Sequence, residues 1–127
     1  MKRFAAAAAV ALMFTGLSAP AQADEYLGSY VARISHEDHF ASDGYRLDNA
    51  AQMVRQDRAN FHKFHRRDPD DERDRWFRSN ADRGRLERML QRPGAMSPGT
   101  KRAIVRGEPL IQVDVFTRSV RVTLLEP

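Results

Sequence analysis

Hydrophobic and polar residues alternate in two neighbouring segments near the C-terminus, Leu110 to Phe116 and Val120 to Leu125. Alternation with a period of two is typical of a strand that buries one face. The residues between them, Thr117 to Ser119, form a connection short enough for a hairpin. We therefore predict an antiparallel hairpin here, and a further strand at Tyr26 to Ile34, which is rich in aromatic and branched side chains.

A helical pattern begins at Leu47. Apolar residues then recur at spacings that place them on one stripe of a helix, namely Leu47, Ala50, Ala51, Val54 and Phe61. We predict a helix from about Asn49 to Arg66, with Asp48 as its cap. The residue before a proline is biased against helical geometry, so this helix is expected to end before Asp68, which precedes Pro69.

Two more helices are indicated by capping residues. Ser79 to Asp82 resembles a capping box that opens a helix, and Pro93 stops that helix. Ser97 followed by Pro98 marks a second start, and Gly107 marks its end. The order strand, three helices, two strands predicts an α+β fold, in which a small antiparallel sheet of the N-terminal strand and the C-terminal hairpin has about three helices packed on it.

The first residues have the pattern of a signal peptide. A basic start is followed by an apolar run from Phe4 to Leu17, and small residues at Ala21 and Ala23 precede the expected cleavage site. The run is shorter than the roughly 20 residues of a membrane-spanning helix. We expect residues 1–23 to be removed in a bacterial cell and residues 24–127 to form one small α+β domain, periplasmic or secreted, with no membrane span after cleavage.

Composition and charge narrow the function classes. The chain contains no cysteine, which excludes disulfides and a lipid-anchored cysteine. Without Lys2 and Arg3, 19 basic residues face 17 acidic ones, and a net charge of only +2 argues against nucleic acid as the ligand. Most basic residues lie in the middle of the chain, which is rich in arginine. The expected partners are a periplasmic protein or an anionic component of the cell envelope.

A charged segment, residues 66–75, follows the first predicted helix and contains five acids and four arginines. We interpret it as an exposed, solvated loop, with Trp76 and Phe77 returning to the core. Its alternating acids suggest a calcium loop, but Arg73 stands where such a loop needs glycine, and its charge would repel the cation.

Four histidines form two pairs with the same spacing, His36 with His39 and His62 with His65. Residues three apart on a helix have Cβ atoms ~5–6 Å apart, close enough to share a metal ion. Imidazole suits zinc, copper and nickel, so the four histidines are the candidate metal ligands. The competing interpretation is structural, with His65 half-buried beside the apolar stripe and bonded to a carbonyl.

Two functional alternatives remain beside a non-catalytic role. One is transition-metal binding by the four histidines. The other is a small secreted phosphodiester hydrolase, in which two imidazoles act as acid and base beside arginines that neutralise developing charge. No catalytic residue pair can be identified from the sequence. We therefore expect a non-catalytic periplasmic binding or structural accessory module without a cofactor.

Overall fold

The structure is a computed structural model that describes residues 23–127, so the predicted signal peptide lies outside the described residues except for Ala23. Its elements in chain order are strand β1 (Tyr26–Arg33), a single 3-10 turn (His36–His39), helices α1 (Ala50–His62), α2 (Asn80–Leu90) and α3 (Pro98–Arg106), and strands β2 (Leu110–Phe116) and β3 (Val120–Glu126). This arrangement confirms the predicted α+β class and the order of its elements.

The sheet has the order β1-β2-β3, with both strand pairs antiparallel. Val113 in the central strand pairs with Tyr30 of β1 and with Val122 of β3. Alternate residues of the sheet are buried on the face that the helices cover. They are Tyr30, Ala32, Ile111, Val113, Val115, Val120 and Val122. The predicted hairpin is confirmed, because its alternation places one apolar row in the core.

Helix α1 differs from its prediction at both ends. The cap is Asn49 and not Asp48, because the Asn49 side chain accepts a hydrogen bond from the Gln52 amide. The helix ends at His62, so its predicted extension to Arg66 is wrong. His65 has a left-handed backbone with a φ of 55°, and the Arg66 amide donates to the carbonyl of Asn60, which closes the turn.

The caps of α2 and α3 follow the sequence signals. The Ser79 hydroxyl accepts from the Asp82 amide at 3.0 Å, and the Ser97 hydroxyl accepts from the Thr100 amide at 3.1 Å. Pro98 occupies the first turn of α3, where its missing amide proton costs nothing. None of the helices in the described part of the chain is long and apolar enough to cross a membrane.

The charged segment 66–75 is a mostly exposed loop, as predicted, but it is also bound to the sheet and one of its acids is buried. Glu72 pairs with Val31 of β1 through two hydrogen bonds of 2.8 Å, one from its amide and one to its carboxylate. Asp71 accepts from the Arg33 amide at 2.9 Å, and Asp74 is only 3% exposed. The segment covers the outer edge of β1, which would otherwise present unpaired backbone groups.

Strand β1 has an irregularity that depends on a glycine. The pairing register with β2 shifts between Tyr26 and Gly28, and Gly28 has a φ of 152°. A Cβ atom at this position would lie 2.8 Å from Cη2 of Trp76. Gly28 therefore serves two purposes, since it permits the backbone conformation and allows the indole ring to approach the strand.

Replacement of Gly28 by Ala is expected to lower the free energy of unfolding by about 2–3 kcal/mol, because overpacking adds to the strain of a positive φ. Chemical denaturation checks this value. Gly44 also has a positive φ, 90°, but no atom lies within 4 Å of its potential Cβ, which makes Gly44→Ala the control for backbone strain alone. Equal losses in the two variants would contradict the role of the Trp76 contact.

Candidate functional site

A buried arginine joins α1 to the charged segment and to β1. The Arg58 side chain is fully buried, with Nε 2.7 Å from Asp57 and Nη1 2.9 Å from Asp74. Its guanidinium lies 4.1 Å from the Tyr30 ring centroid and 4.5 Å from that of Phe61. A buried charge requires partners of this kind, since desolvation alone would cost several kcal/mol.

Asp74 is the centre of this network. One carboxylate oxygen accepts from Arg58 and from Nε2 of His62 at 2.6 Å, and the other accepts from the amides of Trp76 and Phe77. Burial raises the pKa of Asp74, but hydrogen bonds from His62 and the charge of Arg58 outweigh it and hold the pKa below its ordinary value. The ionised carboxylate thus fixes the end of the charged segment.

Most of the network is buried, which indicates a structural role. Burial raises the pKa of Asp57 and that of the Tyr30 hydroxyl well above their ordinary values. The Tyr30 hydroxyl and Arg58 Nη2 are buried and have no hydrogen-bond partner among the described residues. Neither of these groups reaches the surface, whereas Asp74 also lines the cavity beside Trp76. The network fastens α1, β1 and the charged segment to one another.

The structure places two of the four histidines in such structural contacts. Both ring nitrogens of His39 face carbonyl oxygens, that of Ser35 at 2.7 Å and that of Ile104 at 2.8 Å. His62 is held by Asp74, and burial lowers the pKa of His62 against the opposing effect of the Asp74 carboxylate. The carbonyl-bonded histidine is therefore His39, and not His65 as the sequence indicated.

The other two histidines are more exposed. His36 lies at the surface, where its ring is 5.1 Å from that of Phe40. His65 is exposed and follows the end of α1, so His62 and His65 do not share a helical face. Within residues 23–127, no group of three or more His, Asp or Glu side chains is arranged to hold a metal ion. Zinc, copper or nickel binding by these residues stays a prediction.

Two adjoining concave surfaces share Phe64 as a lining residue, and we call them together the Phe64 cleft. Its first lobe has a volume of about 280 Å³ and its second lobe about 360 Å³. Residues shared by both lobes are Ala41, Ser42, Gln56 and Phe64. Phe64 is 38% exposed, so its ring offers an apolar surface between the lobes.

Side-chain amides organise the floor of the first lobe. Asn60 donates to Asp38 at 2.8 Å and accepts from Gln56 at 3.1 Å, while Gln56 also donates to Ser42. The second carboxylate oxygen of Asp38 accepts from the amide and hydroxyl of Ser35. These contacts hold the 3-10 turn against α1 and fix the polar groups of the lobe before a ligand arrives.

The ionisation of Asp38, which lies beneath the first lobe, makes the stability of the protein depend on pH. Burial raises the pKa of Asp38 to about 6, because the side chain is removed from water and its hydrogen bonds compensate only in part. A folded-state pKa above the unfolded value means that the protonated form is favoured in the fold. Its contribution to stability is complete below about pH 3.8 and is lost as pH rises through about 6.

Between about pH 4.5 and pH 7, the wild type is expected to lose about 2 kcal/mol of stability more than Asp38→Asn, which cannot titrate. Urea unfolding at the two pH values gives the change in the free energy of unfolding for each protein. The contributions of the other titrating groups are the same in both proteins and cancel in the comparison. Parallel pH dependence in the two proteins would contradict the raised pKa of Asp38.

The second lobe is basic. Arg55, Lys63 and Arg83 line it together with Asn80, the first residue of α2. Its lining contains one carboxylate among the described residues, the exposed Asp43 at the rim. No protein-family model, curated protein or solved structure matches this chain. The chemistry of the cleft must therefore be inferred from its own residues.

A second cavity, of about 320 Å³, lies beside Gly28 and Trp76. Its arginines, Arg73, Arg75 and Arg78, are exposed side chains at the surface. Asp74 also lines this cavity, but its carboxylate oxygens already accept hydrogen bonds from the Arg58 network. The Phe64 cleft differs because one of its arginines, Arg83, is buried. We therefore take the Phe64 cleft as the candidate site.

The cleft joins segments that are distant in the sequence. Gln56 and Asn60 lie on one side of α1, and Phe64 follows at the same spacing just after the helix ends, which was the available signal. Their partners come from the segment between the 3-10 turn and Gly44, about 20 residues earlier, and no local pattern reports this contact.

Proposed function

We propose that this protein is an exported, non-catalytic binding module of the bacterial periplasm, and that the Phe64 cleft is its ligand site. The observation that carries the proposal is the combination of an exposed aromatic ring with amide groups that are fixed on the cleft floor. Binding sites typically combine an apolar surface with a few polar groups that set orientation. Export is supported by the signal-peptide pattern of residues 1–23.

The positions of the histidines favour binding over hydrolysis. Acid–base catalysis on a phosphodiester needs two groups with suitable pKa within reach of one substrate. Among the described residues, His36 is the one histidine that lines the Phe64 cleft, whereas His39 and His62 make structural hydrogen bonds. The metal alternative would require His39 to exchange both of its carbonyl contacts for metal ligation.

The proposal predicts that Phe64→Ala removes binding of a cell-envelope fragment. Saturation-transfer NMR with the purified protein can screen a defined panel of amino-sugar disaccharides, D-alanyl peptides, glycerophosphate head groups and uronic acid oligomers. We expect at least one member to bind and Phe64→Ala to lower its affinity at least tenfold, since the exposed Phe64 ring belongs to the lining of both lobes.

Tyr45→Ala is the matched control for this experiment, because Tyr45 is 76% exposed and lies outside the residues that line the cleft. Its substitution is expected to leave binding unchanged. A panel without any binding member, or a binding signal that persists in Phe64→Ala, would contradict the assignment of the cleft.

A further inference from the structure

We propose that the second lobe of the Phe64 cleft binds the phosphate group of an organic phosphate monoester, whose apolar part packs on Phe64. This inference rests on the proposed function and adds the chemical class of the ligand. It is carried by a buried arginine without a counterion, by two further cations that face the same space, and by the adjacent aromatic ring.

Arg83 is a built part of the lobe. It is only 4% exposed, and its Nη1 donates to the carbonyls of Phe77 at 3.1 Å and Arg78 at 2.8 Å. No carboxylate lies within ion-pair distance of its guanidinium in residues 23–127, in contrast to the paired Arg58. Burial, and then the charge of Arg55, lower the pKa of Arg83. An anion in the lobe would compensate this charge.

Arg55 approaches the same space from α1. Its Nη2 donates to the Asn80 side chain at 3.1 Å, and its Nη1 lies 3.8 Å from Glu87, at the outer limit of an ion pair. Asn80 begins α2, whose N-terminus adds the positive end of a helix dipole to the lobe. The side-chain contact with Asn80 holds the Arg55 guanidinium at this position.

Lys63 connects the cationic lobe with the aromatic surface. Its ammonium group lies 5.2 Å from the centroid of the Phe64 ring. A ligand that carries an anion next to an apolar group could therefore contact Lys63 and Phe64 together. A phosphate monoester has a charge of about −1.5 to −2 at neutral pH and three acceptor oxygens, which suits a site with two arginines and a lysine.

Isothermal titration of the purified protein at low ionic strength tests the inference with three compounds, phenyl phosphate, inorganic phosphate and benzyl alcohol. We expect phenyl phosphate to bind about tenfold more tightly than inorganic phosphate, because its ring covers Phe64. Lys63→Gln is expected to weaken both phosphates about threefold to tenfold. Phe64→Ala should remove the advantage of phenyl phosphate and leave inorganic phosphate unchanged.

Lys101→Gln provides the matched control, since it removes the same charge from an exposed position on α3 outside the cleft. It is expected to leave all affinities unchanged. Arg55→Gln is the second test variant, with an expected loss similar to that of Lys63→Gln. Arg83→Gln is less suitable, because the side chain also holds the Phe77 and Arg78 carbonyls.

The outcomes separate the two proposals. Equal binding of phenyl phosphate and benzyl alcohol, lost in Phe64→Ala, would overturn the phosphate assignment while supporting the cleft as a binding site. Equal losses in Lys63→Gln and Lys101→Gln would show general charge attraction and would also overturn it. Binding of inorganic phosphate alone, without a gain from the phenyl group, would identify a free anion as the ligand and overturn the monoester assignment.

Discussion

Replacement of Arg58 by Met is expected to lower the free energy of unfolding by about 3–5 kcal/mol, the usual loss when one partner of a buried ion pair is removed. The guanidinium is fully buried between the Tyr30 and Phe61 rings and is bonded to two carboxylates. Methionine fills much of the volume, so most of the loss reports the side chains of Asp57 and Asp74, which remain buried without the guanidinium that they bind.

Arg67→Met is the matched control for this variant. Arg67 also contacts Phe61, with its guanidinium 4.3 Å from the ring centroid, but its side chain is exposed. Its replacement is expected to cost less than about 1 kcal/mol. Urea denaturation of both variants gives the comparison. A loss below 1 kcal/mol in Arg58→Met would contradict the importance of the buried network.

Replacement of Asp74 by Ala is expected to cost about 3–5 kcal/mol as well, because four donors lose their acceptor together. These are Arg58, His62 and the amides of Trp76 and Phe77. The charged segment should then detach from β1, which hydrogen exchange at the Val31 and Arg33 amides would detect. Because Arg58 and Asp74 share one contact, the losses of a double variant should be less than additive.

Asp70→Ala is the control that removes one negative charge without removing buried hydrogen bonds. The Asp70 carboxylate is 53% exposed and forms an ion pair of 3.1 Å with Arg33. Exposed pairs contribute at most about 1 kcal/mol, so the stability of Asp70→Ala should remain close to that of the wild type. Similar losses for Asp70→Ala and Asp74→Ala would indicate that net charge, and not the buried hydrogen bonds, determines stability.

The elements with a clear hydrophobic period were predictable from the sequence. Strand β2 alternates over its whole length and β3 from Val120 to Thr123, and the caps Ser79 and Ser97 mark α2 and α3 within one residue. Local preference and tertiary packing agree in these segments, so a local pattern is sufficient.

The position of Arg58 in the sequence indicated its burial, although the pattern of apolar residues alone does not include it. Arg58 lies on the same helical stripe as Leu47, Val54 and Phe61, which placed a charge on the buried side of α1. A buried arginine requires acids nearby, but its partner Asp74 lies in a segment whose composition indicates a solvent-exposed loop. Only the three-dimensional contact with β1 decides that this segment is bound to the sheet.

The end of α1 could not be predicted for a similar reason. Pro69 is the nearest strong stop signal, whereas the helix ends at His62. The left-handed conformation of His65 is unusual for a residue other than glycine, and here it accompanies the return of the chain toward β1. The same turn leaves Phe64 exposed beside the cleft.

The Arg58 network and the Phe64 cleft both use side chains of α1. Phe61 faces the buried arginine, while its neighbour Asn60 faces the Asp38 carboxylate and the cleft. The network therefore supports the helix from one side while the cleft forms on the other. Rigid support of this kind reduces the conformational entropy that the protein loses when a ligand binds.

The most direct test of the Phe64 cleft is an amide chemical-shift map of the ¹⁵N-labelled protein titrated with phenyl phosphate. We expect saturable shifts at the amides of Ser42, Gln56, Lys63, Phe64 and Asn80, and no shifts in α3 or β3. Shifts centred on Leu27 and Trp76, which line the other large cavity, would contradict the assignment of the cleft, and so would a titration without saturable shifts.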